Sequence, residues 1–226
     1  MLGVSFIMCV NDEEWANESA LYIGALEVPV GFGVEIIRVK NATSMTSGYN
    51  IGMESARYKY KVYLHQDTLI LKKNFITEMV KIFTDETIGL IGMIGAKRIP
   101  ENGIWWEGEQ IYGRVLHHCE AESVVDSHCL DPLGEYEEVE VVDGFLMCTQ
   151  YDIEFDERFD GFHFYDVTQC VKMRRAGYKV VVPRQDENWS MHCPVEKPLE
   201  RSYEKYRRKY LKNYRQNNLQ NKNGVI

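Results

Sequence analysis

The sequence predicts an α/β protein in which helices flank a mostly parallel central sheet. Within residues 4–96, short apolar segments of strand length alternate with segments whose apolar residues recur at helical spacing. Alternation of this kind is typical of parallel strands joined by crossover helices. The 226 residues with 45% hydrophobic content are enough for one substantial core. We therefore expect a single α/β domain over residues 1–198, followed by a basic C-terminal helix and tail over residues 199–226.

The first half of the chain accounts for most of the predicted sheet. Strands are expected at 4–10, 34–41, 60–67 and 88–96, and helices at 13–26, from near Tyr49, and at 73–85. The helix at 73–85 has an apolar stripe made of Phe75, Ile76, Met79, Val80 and Phe83. The run "ATSMTSG" before Tyr49 is rich in Ser, Thr and Gly, which predicts a loop there.

The second half is less regular. Residues 98–113 are aromatic and irregular, and residues 120–143 hold nine acidic residues and no Lys or Arg, which predicts a largely exposed segment. A buried strand is expected at 139–149, interrupted at Asp143-Gly144. A helix at 162–179, ended by Gly177, then leads into a last strand at 179–183.

Composition excludes several classes of protein. The net charge of −8 disfavours nucleic-acid binding, and no apolar run approaches the roughly 20 residues that span a bilayer. The sequence contains neither GxGxxG nor a P-loop. The six cysteines form no CxxC, and the apolar start "MLGVSFIMCV" predicts a strand rather than a signal peptide. We therefore expect a reduced, cytoplasmic protein.

Polar residues follow three predicted strands at the point where each strand ends. Asn11 follows the first strand, Lys40-Asn41 ends the second and His65-Gln66-Asp67 ends the third. Because ligands of parallel sheets bind outside the carboxyl ends of the strands, these residues predict a binding site. Asp67 is a candidate ligand for Mg²⁺ or Mn²⁺, and His192 is either a second ligand or a packing residue.

Asp166 lies in the first turn of the predicted helix at 162–179. One interpretation is a general base at the edge of a cleft. The other is a helix-start stabiliser, since an early acidic residue is favoured by the helix dipole. In both cases the helix-terminal amides are expected to favour the ionised carboxylate.

Two further features have competing interpretations. The segment "HHCEAESVVDSHC" combines zinc-ligand types without any standard finger spacing, at His117, His118, Cys119, His128 and Cys129. The basic tail carries four tyrosines at helical spacing, Tyr203, Tyr206, Tyr210 and Tyr214. This helix either docks its tyrosines on the body or meets anionic lipid as a peripheral membrane contact.

Taken in order, these segments resemble family-2 nucleotide-sugar glycosyltransferases of the A-type fold. The resemblance covers about residues 3–195 and rests on "VSFIMCVN", "EIIRVKN", "SGYNIGMESA" with Asn50 and Gly52, "HQD", and "YDVTQCVKMRRAGYKV". The "HQD" form, with "VDGFLM" and "FDGFHFYD", is similar to a bacterial glycosyltransferase-like subgroup.

The resemblance implies a metal-assisted sugar transfer with inversion, from a nucleotide-diphosphate donor to an acceptor hydroxyl of a carbohydrate or other molecule. Asp67 then matches the metal-binding Asp of the D-x-D motif, with Mn²⁺ or Mg²⁺ as cofactor, and Asp166 matches the catalytic base. The implied donor-binding residues are Asn11, Lys40, Asn41, Asn50, His65, Gln66 and Asp67. The implied acceptor or sugar contacts are Asp143, Gly144, Trp105 and Trp106, although the tryptophans equally fit a loop packed on the core.

The chain departs from the family pattern at Lys40-Asn41, where many members have an Asp that reads the uracil base, and at two residues beside the implied metal ligand and base. His65 stands in place of the first Asp of D-x-D, and Tyr165 stands in place of the Glu that usually precedes the base. We expect His65 to matter less than Asp67, since an imidazole could hydrogen-bond ribose or phosphate and need not touch the metal. The departures at His65 and Tyr165 favour a rival hypothesis, a catalytically silent nucleotide- or sugar-binding module on the same fold. A zinc-stabilised interaction protein built on residues 117–129 is a third hypothesis.

Overall fold

The computed structural model describes residues 1–119, 123–194 and 201–215, and it confirms the predicted α/β class. The strands are β1 Gly3–Val10, β2 Gly33–Lys40, β3 Tyr60–Leu64, β4 Thr68–Ile70, β5 Ile88–Gly92, β6 Ile94–Ala96, β7 Ile111–Cys119, β8 Ser123–His128, β9 Tyr136–Val139, β10 Val141–Val142, β11 Leu146–Thr149, β12 Lys179–Pro183 and β13 Ser190–His192. The helices are α1 Glu13–Gly24, α2 Met45–Ser55, α3 Phe75–Ile82, α4 Tyr165–Arg175 and α5 Arg201–Tyr210. A 3₁₀ turn covers Trp105–Glu107, and a π-helical turn, Leu211–Arg215, continues α5.

The main sheet has seven strands in the order β2-β1-β3-β11-β5-β12-β9. β1 pairs in parallel with β2 and β3, and β12 pairs in parallel with β5. Among the described strands of this sheet, only β11 and β9 run antiparallel to their neighbours. The mostly parallel order brings the carboxyl ends of β1, β2 and β3 to one edge, as the sequence predicts.

A second sheet, in the order β10-β6-β7-β13-β4 with β8 on β7, is not predicted by the sequence. The strand expected at 88–96 splits at Met93, so that β5 joins the main sheet and β6 joins the second. The strand expected at 139–149 splits in the same way into β10 and β11. The two breaks meet where the Asp143 amide donates to the Ile94 carbonyl at 2.9 Å. They place Asp143 and Gly144 at the junction of the sheets.

Helix α2 packs closely on β1, and two glycines permit the approach. A Cβ on Gly52 would lie 2.2 Å from Cγ2 of Ile7, and one on Gly48 would lie 2.3 Å from Sγ of Cys9. The helix begins at Met45, inside the segment expected to be a loop. The reason is Ser44, whose hydroxyl accepts the Ser47 amide at 3.1 Å and caps the first turn.

The tyrosine face of α5 packs on the body. Tyr206, Tyr210 and Tyr214 are buried within the main hydrophobic core. The hydroxyl of Tyr214 donates to Asp156 at 2.6 Å, and that of Tyr206 donates to Asp160 at 3.1 Å. Membrane contact through the basic residues stays a prediction. In the ranges described, no helix has both the length and the apolar character needed to cross a membrane.

Replacing Tyr210 by Ala tests the docking of α5. Its ring is 3% exposed and stacks on Phe164 with centroids 5.5 Å apart, so the change leaves a cavity at the start of α4. We expect the free energy of unfolding to fall by about 3–5 kcal/mol in denaturant titrations, as for other buried aromatic residues. Leu21→Ala is the control, because the Leu21 side chain on α1 is 74% exposed, and it should change the free energy of unfolding by less than about 0.5 kcal/mol. Equal effects of the two variants would contradict the docking.

Candidate active site

A cavity of about 340 Å³ opens at the carboxyl ends of β1, β2 and β3. It is lined by Cys9, Val10, Asn11, Asn41, Ala42, Met45, His65, Gln66, Asp67 and Phe162. Its size is within the roughly 300–1,000 Å³ typical of small-molecule sites. We call it the donor cavity. The structure thus brings together five of the seven predicted donor-binding residues.

Gln66 holds the ends of β1 and β3 together. Its carbonyl oxygen accepts the amides of Asn11 and Asp12, each at 2.9 Å, and its NH₂ donates to the Asn11 side chain at 2.5 Å. Both polar atoms of the Gln66 amide are therefore used within the protein. Gln66 shapes the wall of the cavity and fixes the turn that leads into α1.

Asn41 ends β2 in the left-handed region, with φ of 57°. Asn tolerates this conformation better than most residues because its short polar side chain bonds locally. The neighbouring residue, Lys40, is not among the residues that line the donor cavity. The Lys40 ammonium pairs with Glu13 at 2.6 Å and its side chain is 60% exposed.

Asn50 also lies outside the lining of the donor cavity. Its side-chain oxygen accepts the Phe155 amide at 2.7 Å, and its NH₂ donates to the Phe155 carbonyl at 3.1 Å and to Glu157 at 3.0 Å. These bonds satisfy the hydrogen-bonding groups of the buried backbone at Phe155, which pairs with no described strand. In this structure Asn50 joins α2 to the segment that precedes α4.

Three potential metal ligands converge beside the donor cavity, and two of them, His65 and Asp67, line it. His65 Nδ1 lies 3.3 Å from His192 Nε2, and Asp67 Oδ1 lies 3.5 Å from His192 Nε2 and 4.0 Å from His65 Nδ1. These separations allow all three atoms to bind one divalent cation at about 2.0–2.2 Å. Asp67 Oδ1 is buried and has no hydrogen-bond partner among the described residues, as expected of an atom that faces an ion. We call these residues the His-Asp-His cluster.

The second sheet delivers His192 to this cluster. β13 pairs antiparallel with β4, so that His192 lies opposite Thr68, and the Cys193 amide donates to the Asp67 carbonyl at 2.9 Å. The imidazole stacks on the Phe145 ring, with centroids 5.1 Å apart and planes within 12°. The backbone pairing and the stacking together fix the direction of the His192 ring.

The pKa shifts of His65 and Asp67 favour cation binding by the cluster at neutral pH. Burial lowers the pKa of His65 to about 4, with a contribution from neighbouring His192, so the imidazole is neutral and has a free lone pair. Burial opposes ionisation of Asp67, but its contacts with His192 and His65 outweigh burial and lower its pKa. A neutral imidazole at His65 and an ionised carboxylate at Asp67 are the protonation states in which these two residues can bind a metal.

A second cavity of about 190 Å³ adjoins the first and shares His65 and Phe162 with it. Its other lining residues are Trp105, Trp106, Asp143, His163, Phe164, Tyr165, Asp166, Val167 and Tyr203. We call it the acceptor-side cavity. Sequence reasoning missed Phe162, His163 and Tyr203 as lining residues. Tyr203 belongs to the tyrosine stripe of the tail, which indicates docking and gives no sign that one ring faces a cavity.

Asp166 lies at the start of α4, two residues after a strained backbone position. Phe164 has φ of 65°, which costs a non-glycine residue of order 1–3 kcal/mol and turns the chain sharply into the helix. The Asp166 carboxylate accepts hydrogen bonds from the Val167 amide, at 2.8 Å, and from the Gly144 amide. These bonds fix its orientation within the acceptor-side cavity.

The helix-terminal amides favour the ionised form of Asp166, as the sequence predicts, but the surroundings of the carboxyl group outweigh them. Burial, followed by the charge of nearby Asp143, raises the pKa of Asp166 to about 7, and the amides of Val167 and Gly144 offset only part of this. Asp143 itself accepts the Phe145 amide at 3.1 Å. Two carboxylates therefore share the cavity, and repulsion between their charges helps to keep Asp166 protonated up to neutral pH.

The remaining predicted acceptor contacts differ in exposure. Trp106 is 43% exposed and lies 5.4 Å from the Tyr203 ring, whereas Trp105 is largely buried behind it. Gly144 has a packing role, because a Cβ there would lie 2.3 Å from the Tyr165 hydroxyl oxygen. Trp106 thus presents the more accessible aromatic surface to a ligand.

The zinc hypothesis gains no support from the described residues. His117 and His118 lie on β7, and His128 bonds Asp131 through Nε2 at 2.9 Å. The side chain of Cys119 is outside the described set. Among the side chains that the structure does describe, the one group of three or more ligand types close enough to share an ion is the His-Asp-His cluster.

The fold is the A-type fold of nucleotide-sugar transferases, as comparison with solved structures shows. The chain belongs to the Glycosyltransferase like family, which matches it over residues 5–214. It is 28% identical over 169 residues to the streptomycin biosynthesis protein StrF of Streptomyces griseus, covering 71% of this chain and 56% of that protein.

Two solved glycosyltransferases illustrate the likeness in fold. TarS of S. aureus, residues 1–349 in complex with UDP, aligns with a TM-score of 0.56 and 11% identity over 86% of this chain and 61% of that one. The mannosyltransferase PcManGT of Pyrobaculum calidifontis, in complex with GDP-Man and Mn²⁺, aligns with a TM-score of 0.54 and 14% identity over 91% and 60%. The chain thus spans about six tenths of the length of these proteins.

The raised pKa of Asp166 predicts a pH-dependent stability for the metal-free protein. Between the ordinary carboxyl pKa and about 7, the native state binds more protons at Asp166 than the unfolded state does, so this group lowers stability as pH rises. Asp166→Asn should therefore raise the melting temperature at pH 8, and the gain should disappear towards pH 4. Asp186→Asn, at an exposed carboxylate, is the control. A gain that is the same at every pH would contradict the assigned pKa.

Proposed function

We propose that the protein transfers a sugar from a nucleotide-diphosphate donor to an acceptor hydroxyl, with inversion and with a bound divalent cation. The observation that carries this proposal is the position of the His-Asp-His cluster. Two of its members, His65 and Asp67, line the donor cavity, and His65 also borders the acceptor-side cavity that contains Asp166. A cation site and a candidate base thus flank the place where two substrates would meet.

The donor cavity suits the nucleotide-diphosphate part of the donor. Among the described residues that line it there is no Lys or Arg, and its one carboxylate is Asp67. A diphosphate bound there needs a counter-charge, which a cation held by His65, Asp67 and His192 supplies together with stabilisation of the leaving group. Mn²⁺ and Mg²⁺ both fit this donor set. The UDP and GDP-Man bound by TarS and PcManGT support this class of donor.

The acceptor-side cavity suits a hydroxyl-bearing ring. Trp106 and Tyr203 present aromatic surface, on which the C–H faces of a sugar stack, and Asp143 accepts hydrogen bonds from hydroxyls. Asp166 would take the proton of the attacking hydroxyl, and a pKa of about 7 matches this task near neutral pH. Asp166 lies on the acceptor side of His65, so an acceptor hydroxyl deprotonated there would attack the donor sugar directly. A single displacement of this kind inverts the configuration at the reacting carbon.

Mn²⁺-dependent nucleotide binding tests the donor half of the proposal. In calorimetric titrations with UDP and GDP, Asp67→Ala should remove the part of the affinity that depends on Mn²⁺, because it deletes the only charged ligand of the cluster. Asp131→Ala, at an exposed carboxylate that pairs only with His128 among the described contacts, is the matched control. Equal Mn²⁺ dependence in wild type and Asp67→Ala would exclude this cation site.

Loss of the proposed base tests the catalytic half. With a donor identified by screening sugar nucleotides, Asp166→Asn should bind it as the wild type does and transfer the sugar about 10²–10⁴-fold more slowly. Asp186→Asn again controls for a surface carboxylate. Unchanged transfer by Asp166→Asn would remove Asp166 from the mechanism. If the wild type binds donors and turns over no donor and acceptor pair, the silent binding module replaces the enzyme as the better account.

A further inference from the structure

The side chains at two departures from the family pattern, His65 and Tyr165, are in direct contact. The Tyr165 hydroxyl forms a hydrogen bond with Nε2 of His65. The opposite nitrogen of the same ring, Nδ1, faces His192 and Asp67 across 3.3 and 4.0 Å. The imidazole therefore stands between the phenol on one side and the proposed cation site on the other.

The chemistry of imidazole makes these two contacts interdependent. A neutral ring has one nitrogen with a free lone pair and one that carries a proton, and only the first can bind a metal. When Nδ1 binds the ion, Nε2 carries the proton and must donate it to an acceptor. The phenolic oxygen of Tyr165 is placed to accept it. Such a partner behind a metal-bound histidine fixes both the tautomer and the direction of the ring.

Tyr165 is itself held firmly enough to serve as this partner. It is the first residue of α4 and is 4% exposed, and its ring meets the ring of Tyr49 edge-on with centroids 5.8 Å apart. Gly144 leaves the space for its hydroxyl, because a Cβ there would lie 2.3 Å from the oxygen. The position of the phenol is therefore set by the start of the helix, by a packed ring and by a backbone that approaches closely.

We propose that Tyr165 is a positioning residue of the cation site, which holds His65 with Nδ1 directed at the ion as a third ligand beside Asp67 and His192. This inference rests on the proposed function, since it requires that the cluster bind a divalent cation. It also gives His65 a larger role than the sequence predicts, since an imidazole at this position need not touch the metal. Because Asp166 follows Tyr165 in the same helical turn, the contact ties the cation site to the proposed base.

Titration with Mn²⁺ alone, followed by calorimetry, tests the inference without any need for activity. Tyr165→Phe keeps the ring and removes the acceptor, and the Kd for Mn²⁺ should rise about 10–100-fold, as for other partners of metal-bound histidines. Tyr49→Phe is the matched control. Its hydroxyl is buried beside the same ring and has no hydrogen-bond partner among the described residues, so the Kd should stay unchanged.

A double-mutant cycle separates positioning from a general structural role. If Tyr165 acts through His65, Tyr165→Phe should have no further effect on Mn²⁺ affinity in a His65→Ala background. Gly144→Ala, which displaces the phenol without removing it, should weaken binding in the same non-additive way and serves if Tyr165→Phe fails to fold. Wild-type affinity in the folded single variants, or a full additive loss in the His65→Ala background, would overturn this inference alone. Failure of the wild type to bind Mn²⁺ would overturn it together with the cation site of the proposed function.

Discussion

The antiparallel pairing of β13 with β4 is the constraint on which the candidate site depends. It places the backbone of Cys193 against that of Asp67 and so brings His192, far away in sequence, to the end of β3. Without this pairing the main sheet would present Asp67 and His65 at its edge with no third ligand. The second sheet, built from segments that carry little regular pattern, therefore completes a site that the parallel sheet begins.

Two carboxylates near this junction experience opposite environments. The pKa of Asp67 is lowered, because two imidazoles outweigh its burial, whereas the pKa of Asp166 is raised by burial and by Asp143. Neighbouring acids whose pKa values move apart are suited to different tasks. The ionised one suits an ion or a positive charge, and the one that titrates near neutrality suits proton transfer. Because both residues are Asp, the difference between their pKa values comes from their surroundings.

The sequence predicts the first half of the fold well, because each strand and helix there carries its own periodicity. It predicts the break at Asp143-Gly144 but misses the one at Met93. At neither break does it predict that one apolar run serves two sheets, because periodicity shows burial but does not show which sheet a strand joins. The site follows the same division. Asn11, Asn41 and Asp67 follow from strand ends, whereas the inward position of Tyr203 and the structural use of Asn50 depend on contacts across the fold.

The contact between His65 and Tyr165 shows why motif departures need a structure to interpret them. Considered one at a time, a His in place of Asp and a Tyr in place of Glu each suggest a site that has lost its chemistry. In the fold their side chains form a hydrogen bond with each other. In the proposed cation site, the His would supply a neutral ligand atom and the Tyr would supply the acceptor for the other ring nitrogen. A carboxylate in the first D-x-D position would add negative charge beside Asp67 in a buried setting, which an imidazole avoids. The paired change therefore fits a cation site that has been rebuilt with different ligands rather than one that has been abandoned.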